Sequence, residues 1–132
     1  MGGCRDLLKN ALKSTEELYE GKWGKMPPMH TARIFAGAVQ FKAMDVYVFC
    51  GTTNGYQSGA LASIEHFKAT SNKWTIFFID NTPKWLPRYG VGALNLSATK
   101  NIIIYGGKEP VEGGKTPTNF LFNPGSKILV EG

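Results

Sequence analysis

The feature that most constrains this chain is a spacing that recurs. Asp45-Val46-Tyr47-Val48-Phe49-Cys50-Gly51 is an apolar run stopped by glycine, and Asn101-Ile102-Ile103-Ile104-Tyr105-Gly106-Gly107 is a second one 56 residues later. Their surroundings repeat as well. Arg33 matches Arg88, Gly37-Ala38 matches Gly92-Ala93, Phe67 matches Phe122, and Trp74 falls opposite Leu129, each at an offset of 55. A fixed period of this length signals stacked supersecondary units, each needing its neighbours to cover its apolar faces. The pattern reaches backwards too. Trp23 stands before Trp74, Glu17-Leu18-Tyr19 resembles Glu65-His66-Phe67, and Gly2-Gly3 takes the place of a glycine turn in a preceding unit.

Each unit reads as four strands. Runs of four to seven residues rich in Val, Ile, Phe and Tyr are strand signals. They place strands near 14–19, 22–26, 36–41, 45–50, 62–68, 73–78, 90–96, 101–105, 118–123 and 127–130. The 16 glycines and 7 prolines are a surplus that suits many turns between short strands. Glycines at strand ends let the backbone reverse at positive φ or approach another backbone closely. One segment conflicts with this scheme. Arg5 to Glu20 is rich in helix formers, with Leu8, Ala11 and Leu12 at helical spacing and Gly21 as a stop. Local propensity favours a helix over residues 5–13, while the repeat alignment requires a loop and then a strand by Glu16–Tyr19.

Composition narrows the functional classes. The 132 residues are 42% hydrophobic and 19% charged, which makes a core-forming chain. The net charge of +5 is scattered rather than patched, so nucleic acid is not an expected partner. No apolar run approaches the ~18 residues of a membrane span, so no membrane partner is expected. No secretory signal opens the sequence. Two cysteines are too few for a disulfide framework or a cysteine zinc site, and the expected setting is reducing and cytoplasmic. No catalytic, metal-binding or cofactor-binding set emerges. His30 and His66 are the only histidines and lie in no cluster with metal-ligand spacing. Gly113-Gly114-Lys115-Thr116 lacks the first glycine of a phosphate-binding loop, because Glu109 stands at its position. Met1-Gly2-Gly3-Cys4 lacks the usual Ser/Thr of an acylation signal, since Asp6 stands there.

The ordered set of motifs resembles the Kelch repeat. The residues that carry the likeness are Arg33, Gly37-Ala38-Val39, Val46 to Gly51, Ser63 to Phe67 and Asn72-Lys73-Trp74, then Arg88, Gly90 to Ala93, Ile102 to Gly107 and Phe122-Asn123-Pro124. Gly2, Gly3 and Trp23 supply the same marks of an earlier unit. Cys50-Gly51 departs from a double glycine, and Leu129 replaces a tryptophan. The resemblance implies an all-β chain, a partial β-propeller of about two and a half four-stranded blades. Residues 1–26 form the outer part of one blade, 27–79 a second, and 80–132 a third whose last strand is degenerate. It further implies a non-catalytic protein-interaction module that binds a protein partner by its blade-tip loops, as the substrate-recognition pieces of some ubiquitin-ligase adaptors do.

Candidate contacts are Asn54, Tyr56 and Gln57 in one loop and Lys108 and Glu109 in another, with Tyr56 foremost because tyrosine joins large contact area to a polar tip. Arg33 and Arg88 precede equivalent first strands, where they either bind carbonyls of the neighbouring unit or reach a ligand. Two alternatives stand beside this reading: a remnant of a propeller enzyme or sugar-binding protein, and a truncated product without independent function. Two and a half blades leave sheet faces bare, so completion by missing blades or by self-association is expected.

Overall fold

The computed structural model describes residues 3–4, 11–12, 15–42, 45–54, 57–79, 85, 87–96, 100–108 and 119–131. The described residues form twelve strands in four antiparallel sheets and no α-helix; a single 3-10 turn spans Gln57–Gly59. β1 (Gly3–Cys4) pairs with β2 (Ala11–Leu12), and β3 (Thr15–Tyr19) pairs with β4 (Lys22–Met26). β5 (Gly37–Phe41), β6 (Asp45–Phe49), β7 (Ile64–Lys68) and β8 (Lys73–Phe77) form a four-stranded meander. β9 (Tyr89–Leu96), β10 (Asn101–Lys108), β11 (Asn119–Asn123) and β12 (Ile128–Glu131) form a second. The two meanders are stacked face to face, and the described sheets form an open arrangement, not a closed ring.

The helix expected over 5–13 is corrected where the structure describes it. Ala11 and Leu12 are extended and bonded to Cys4 and Gly3. Pairing across a sheet overrides a weak local preference for helix. Residues 5–10 and 13 lie outside the described set, as does Gly2.

The repeat offsets translate into register. Val39, Tyr47, His66 and Thr75 stand in one row across the first meander, and Leu94, Ile103, Leu121 and Val130 in the equivalent row of the second. On the opposite faces the rows Gln40–Val46–Phe67–Trp74 and Asn95–Ile102–Phe122–Leu129 match in the same way. Leu129 is fully buried at the position of Trp74, so the degenerate last strand still fills its site. The turns agree too. Asn72 and Lys127 both take a left-handed φ, 54° and 57°, and their amides donate to Lys68 and Asn123 carbonyls at 2.9 and 2.7 Å.

Cys50-Gly51 adopts the conformation of the double glycine. Its φ angles, 63° and 94°, match the 70° and 97° of Gly106 and Gly107. The positive φ at Cys50 costs about 1 kcal/mol relative to glycine. Its buried side chain offsets this by packing in the core. Burial also pushes the thiol up to about 12, with Arg88 and Arg33 pulling weakly the other way, so it stays protonated and unreactive at neutral pH.

The main core lies between the two meanders. Phe122 meets Phe49 and Tyr47 edge-on, each at 5.7 Å between centroids, and stacks on Phe77 at 5.8 Å. A second cluster joins the far face of the first meander, through Val48, Phe67 and Trp74, to Met29 and Met26. The Trp74 indole donates to the Pro27 carbonyl at 2.7 Å. Trp23 behaves differently from Trp74: it is 70% exposed. Trp23 lies on the β4 face opposite Met26, which packs on the first meander, so it points away from that meander. The residue across from it is Leu18, not Tyr19, because Glu20 and Gly21 make a two-residue turn with both φ positive.

Candidate functional site

The two arginines at equivalent points are interior residues, each 1% exposed. Arg33 donates through Nη1 to the Cys50 and Ser63 carbonyls, at 2.8 and 3.2 Å, and through Nη2 to Ser63 Oγ. Its Nη2 also pairs with the Glu65 carboxylate at 2.5 Å. That carboxylate accepts the His30 and Thr31 amides as well, at 2.5 and 3.2 Å. Arg88 stands over the Phe120 and Trp85 rings, 4.9 and 5.2 Å from their centroids. Its backbone joins the sheets: its amide donates to the Leu61 carbonyl and its carbonyl accepts from Gly51. Both arginines therefore hold the scaffold together, and neither presents a side chain to an outside ligand.

The loop after β6 is closed internally. Thr52 Oγ1 donates to Asn54 Oδ1 at 3.1 Å, Asn54 Nδ2 donates to Ser58 Oγ at 3.0 Å, and the Thr53 amide donates to the Gly59 carbonyl. Asn54 is a loop fastener in this arrangement. Gln57 begins the 3-10 turn, and Lys108 ends β10 opposite Tyr89. Tyr56 and Glu109 lie outside the described residues.

The structure brings together a different pair, Phe35 and Tyr89. They flank an open concavity of about 330 Å³ floored by Gly90 and Gly107. Their rings are tilted at 38° with centroids 6.3 Å apart. The Gly90 amide donates to the Phe35 carbonyl at 2.7 Å, which ties the entries of β5 and β9 together. Phe35 is 59% exposed and has φ 56°, while Gly90, its equivalent one repeat later, has φ 75°. Sequence reasoning missed this pair. The available signal was an aromatic residue standing where the other unit has glycine.

Elsewhere, His66 stacks on Tyr47 at 4.2 Å and lies 3.3 Å from Asp45 Oδ2. Burial lowers the His66 pKa, and the hydrogen bond to Asp45 opposes that only in part. Tyr47 is pushed up to about 12 by burial and by Asp45. Among the described residues, no group of three or more His, Cys, Asp or Glu is placed to hold a metal ion, and no helix is long and apolar enough to cross a membrane.

No protein-family model matches this chain, and no curated protein matches it. Among solved structures, the chain is similar to that of YjhT, with a TM-score of 0.70 at 12% identity. The match covers 98% of this chain and 49% of that one, so the chain spans about half the length of the structure it resembles. At that identity the likeness is one of fold.

Proposed function

We propose that the chain is a partial β-propeller of about two and a half Kelch-type blades, and that it works as a non-catalytic protein-interaction module. The repeat reading is supported by the equivalent rows of the two meanders and by the matching φ pairs at Cys50-Gly51 and Gly106-Gly107. The binding surface in this reading is the concavity between Phe35 and Tyr89.

One observation carries it. Phe35 holds a left-handed backbone at a cost of about 1 kcal/mol, yet the residue is 59% exposed. An aromatic residue kept in that conformation and exposed, where the second unit has Gly90, points to a use. Among the described residues, the lining is two aromatic faces and two glycines. Its occupant is an extended peptide that inserts an uncharged apolar or aromatic side chain between the rings.

The test is selection of random displayed peptides against the whole chain, followed by titration of the enriched sequences. Peptides with an apolar or aromatic anchor should emerge, and Phe35→Ala or Tyr89→Ala should weaken them at least tenfold without lowering the melting temperature. Enriched peptides indifferent to both substitutions would move the binding surface elsewhere. An absence of enrichment would remove the proposal.

A further inference from the structure

The stacking inside this chain follows one rule. The forward face of one sheet, the row Val39–Tyr47–His66–Thr75, is covered by the backward face of the next, the row Asn95–Ile102–Phe122–Leu129. The same contact occurs one step earlier, where Phe67 and Trp74 on the backward face of the first meander pack on Met26 of the β3–β4 hairpin. At the two ends of the stack, one half of this contact lies open. The forward face of the second meander shows the row Leu94–Ile103–Leu121–Val130, with Leu94 54% and Val130 49% exposed. Tyr105 and Ile128 share that face and are 46% and 48% exposed. The strand positions on this face hold only apolar residues, Tyr105, a glycine and asparagines. An uncharged face of this breadth is unusual for surface and ordinary for an interface core.

The other end shows the complement. Trp23 is the hairpin's counterpart of Trp74 and Leu129, and it points away from the first meander. Where its equivalents are buried, it is 70% exposed. The chain thus carries a vacant forward face at one end and a vacant backward face at the other.

We infer that a second copy of this chain fills both, its Trp23 hairpin seating on the Leu94–Ile103–Leu121–Val130 face, and the reverse contact closing a two-membered ring. Joining unlike faces is a heterologous contact, and it closes only when the rotation returns to the start. The length favours two members, because one copy covers 49% of the similar YjhT chain. The inference does not depend on the Phe35–Tyr89 concavity, and either can fail alone.

The test is sedimentation velocity of the full chain across a dilution series, with the wild type, two variants and a mixture of the variants. The wild-type chain should sediment as a dimer. Trp23→Ser and the double variant Leu94→Lys/Val130→Lys should each sediment as monomers with circular dichroism unchanged, since all three residues are exposed within one copy. An equimolar mixture of the two variants retains one sound pair of faces and should form a mixed dimer. A wild-type monomer at every concentration overturns the inference, and so does an assembly larger than two copies. Dimers that ignore Trp23→Ser, or variants that do not combine on mixing, overturn the head-to-tail arrangement.

Discussion

Replacing Glu65 with alanine should cost about 4 kcal/mol, because breaking a buried ion pair from one side costs roughly 3–5 kcal/mol. The geometry explains why this site belongs in that range. Neither side chain of the Arg33–Glu65 pair has solvent exposure, so water cannot screen the guanidinium left behind. Arg33 would keep the Cys50 and Ser63 oxygens but lose its paired carboxylate. The His30 and Thr31 amides would lose their acceptor in the same step. Glu65→Gln keeps an acceptor oxygen and removes the charge, so it should fall between wild type and Glu65→Ala. The double variant Arg33→Met/Glu65→Leu removes both charges and should recover most of the loss, since apolar replacement of a whole buried pair is often neutral. The assay is urea unfolding followed by tryptophan fluorescence, which reports on buried Trp74 and Trp85. With a slope of about 2 kcal/mol per molar urea, Glu65→Ala should lower the midpoint by about 2 M. Exposed Glu16→Ala serves as the control and should stay within about 0.5 kcal/mol. A loss below about 1 kcal/mol for Glu65→Ala, or a double variant no better than the single, would refute the reasoning.

Other perturbations follow from the backbone and the titrating groups. A Cβ at Gly106 meets nothing within 4 Å, so Gly106→Ala should cost only the strain of its φ, about 1 kcal/mol. A Cβ at Gly107 would lie 2.6 Å from Val91 Cγ1 and 3.3 Å from the Tyr89 carbonyl, so Gly107→Ala should cost clearly more in thermal melting. Lys100 is exposed with φ 58°, and Lys100→Gly should raise stability by about 0.5–1 kcal/mol, read as a rise in melting temperature. Burial lowers the His66 pKa below its ordinary 6.5, so the unfolded chain binds the proton more readily. Stability should therefore be fully present above pH 6.5 and fall as the pH drops from there through the lowered value. His66→Gln should flatten that slope in melts taken at stepped pH.

The strands were legible because their signals are local and redundant. Val46, Val48, Ile102 and Ile104 alternate with residues of the opposite face, and period-two alternation leaves little choice of register once glycine ends the run. The offset of 55 aligns the two meanders from residue identity alone. The first residues were less legible because propensity and pairing disagree there, and at Ala11–Leu12 the pairing prevails. The candidate site was the least legible part. Loop chemistry points to Asn54 as a contact, yet Asn54 is occupied in fastening its own loop. Phe35 becomes conspicuous only when its φ and exposure are known together, and neither is written in residue identity.

The equivalent arginines show how far a repeat determines chemistry. Both need a counterpart in the interior, because a bare buried guanidinium is costly. The residue 32 positions after Arg33 is Glu65, and the residue at the same distance from Arg88 is Phe120. One unit neutralises its arginine with a carboxylate, and the other lays it across Phe120 and Trp85. His30 stands where the second unit has Trp85, so the site three residues before each arginine has changed along with it. An ion pair and a pair of aromatic faces each place negative potential against a guanidinium in a dry site. The period therefore specifies where a buried cation must be answered, and the local residues decide by which means.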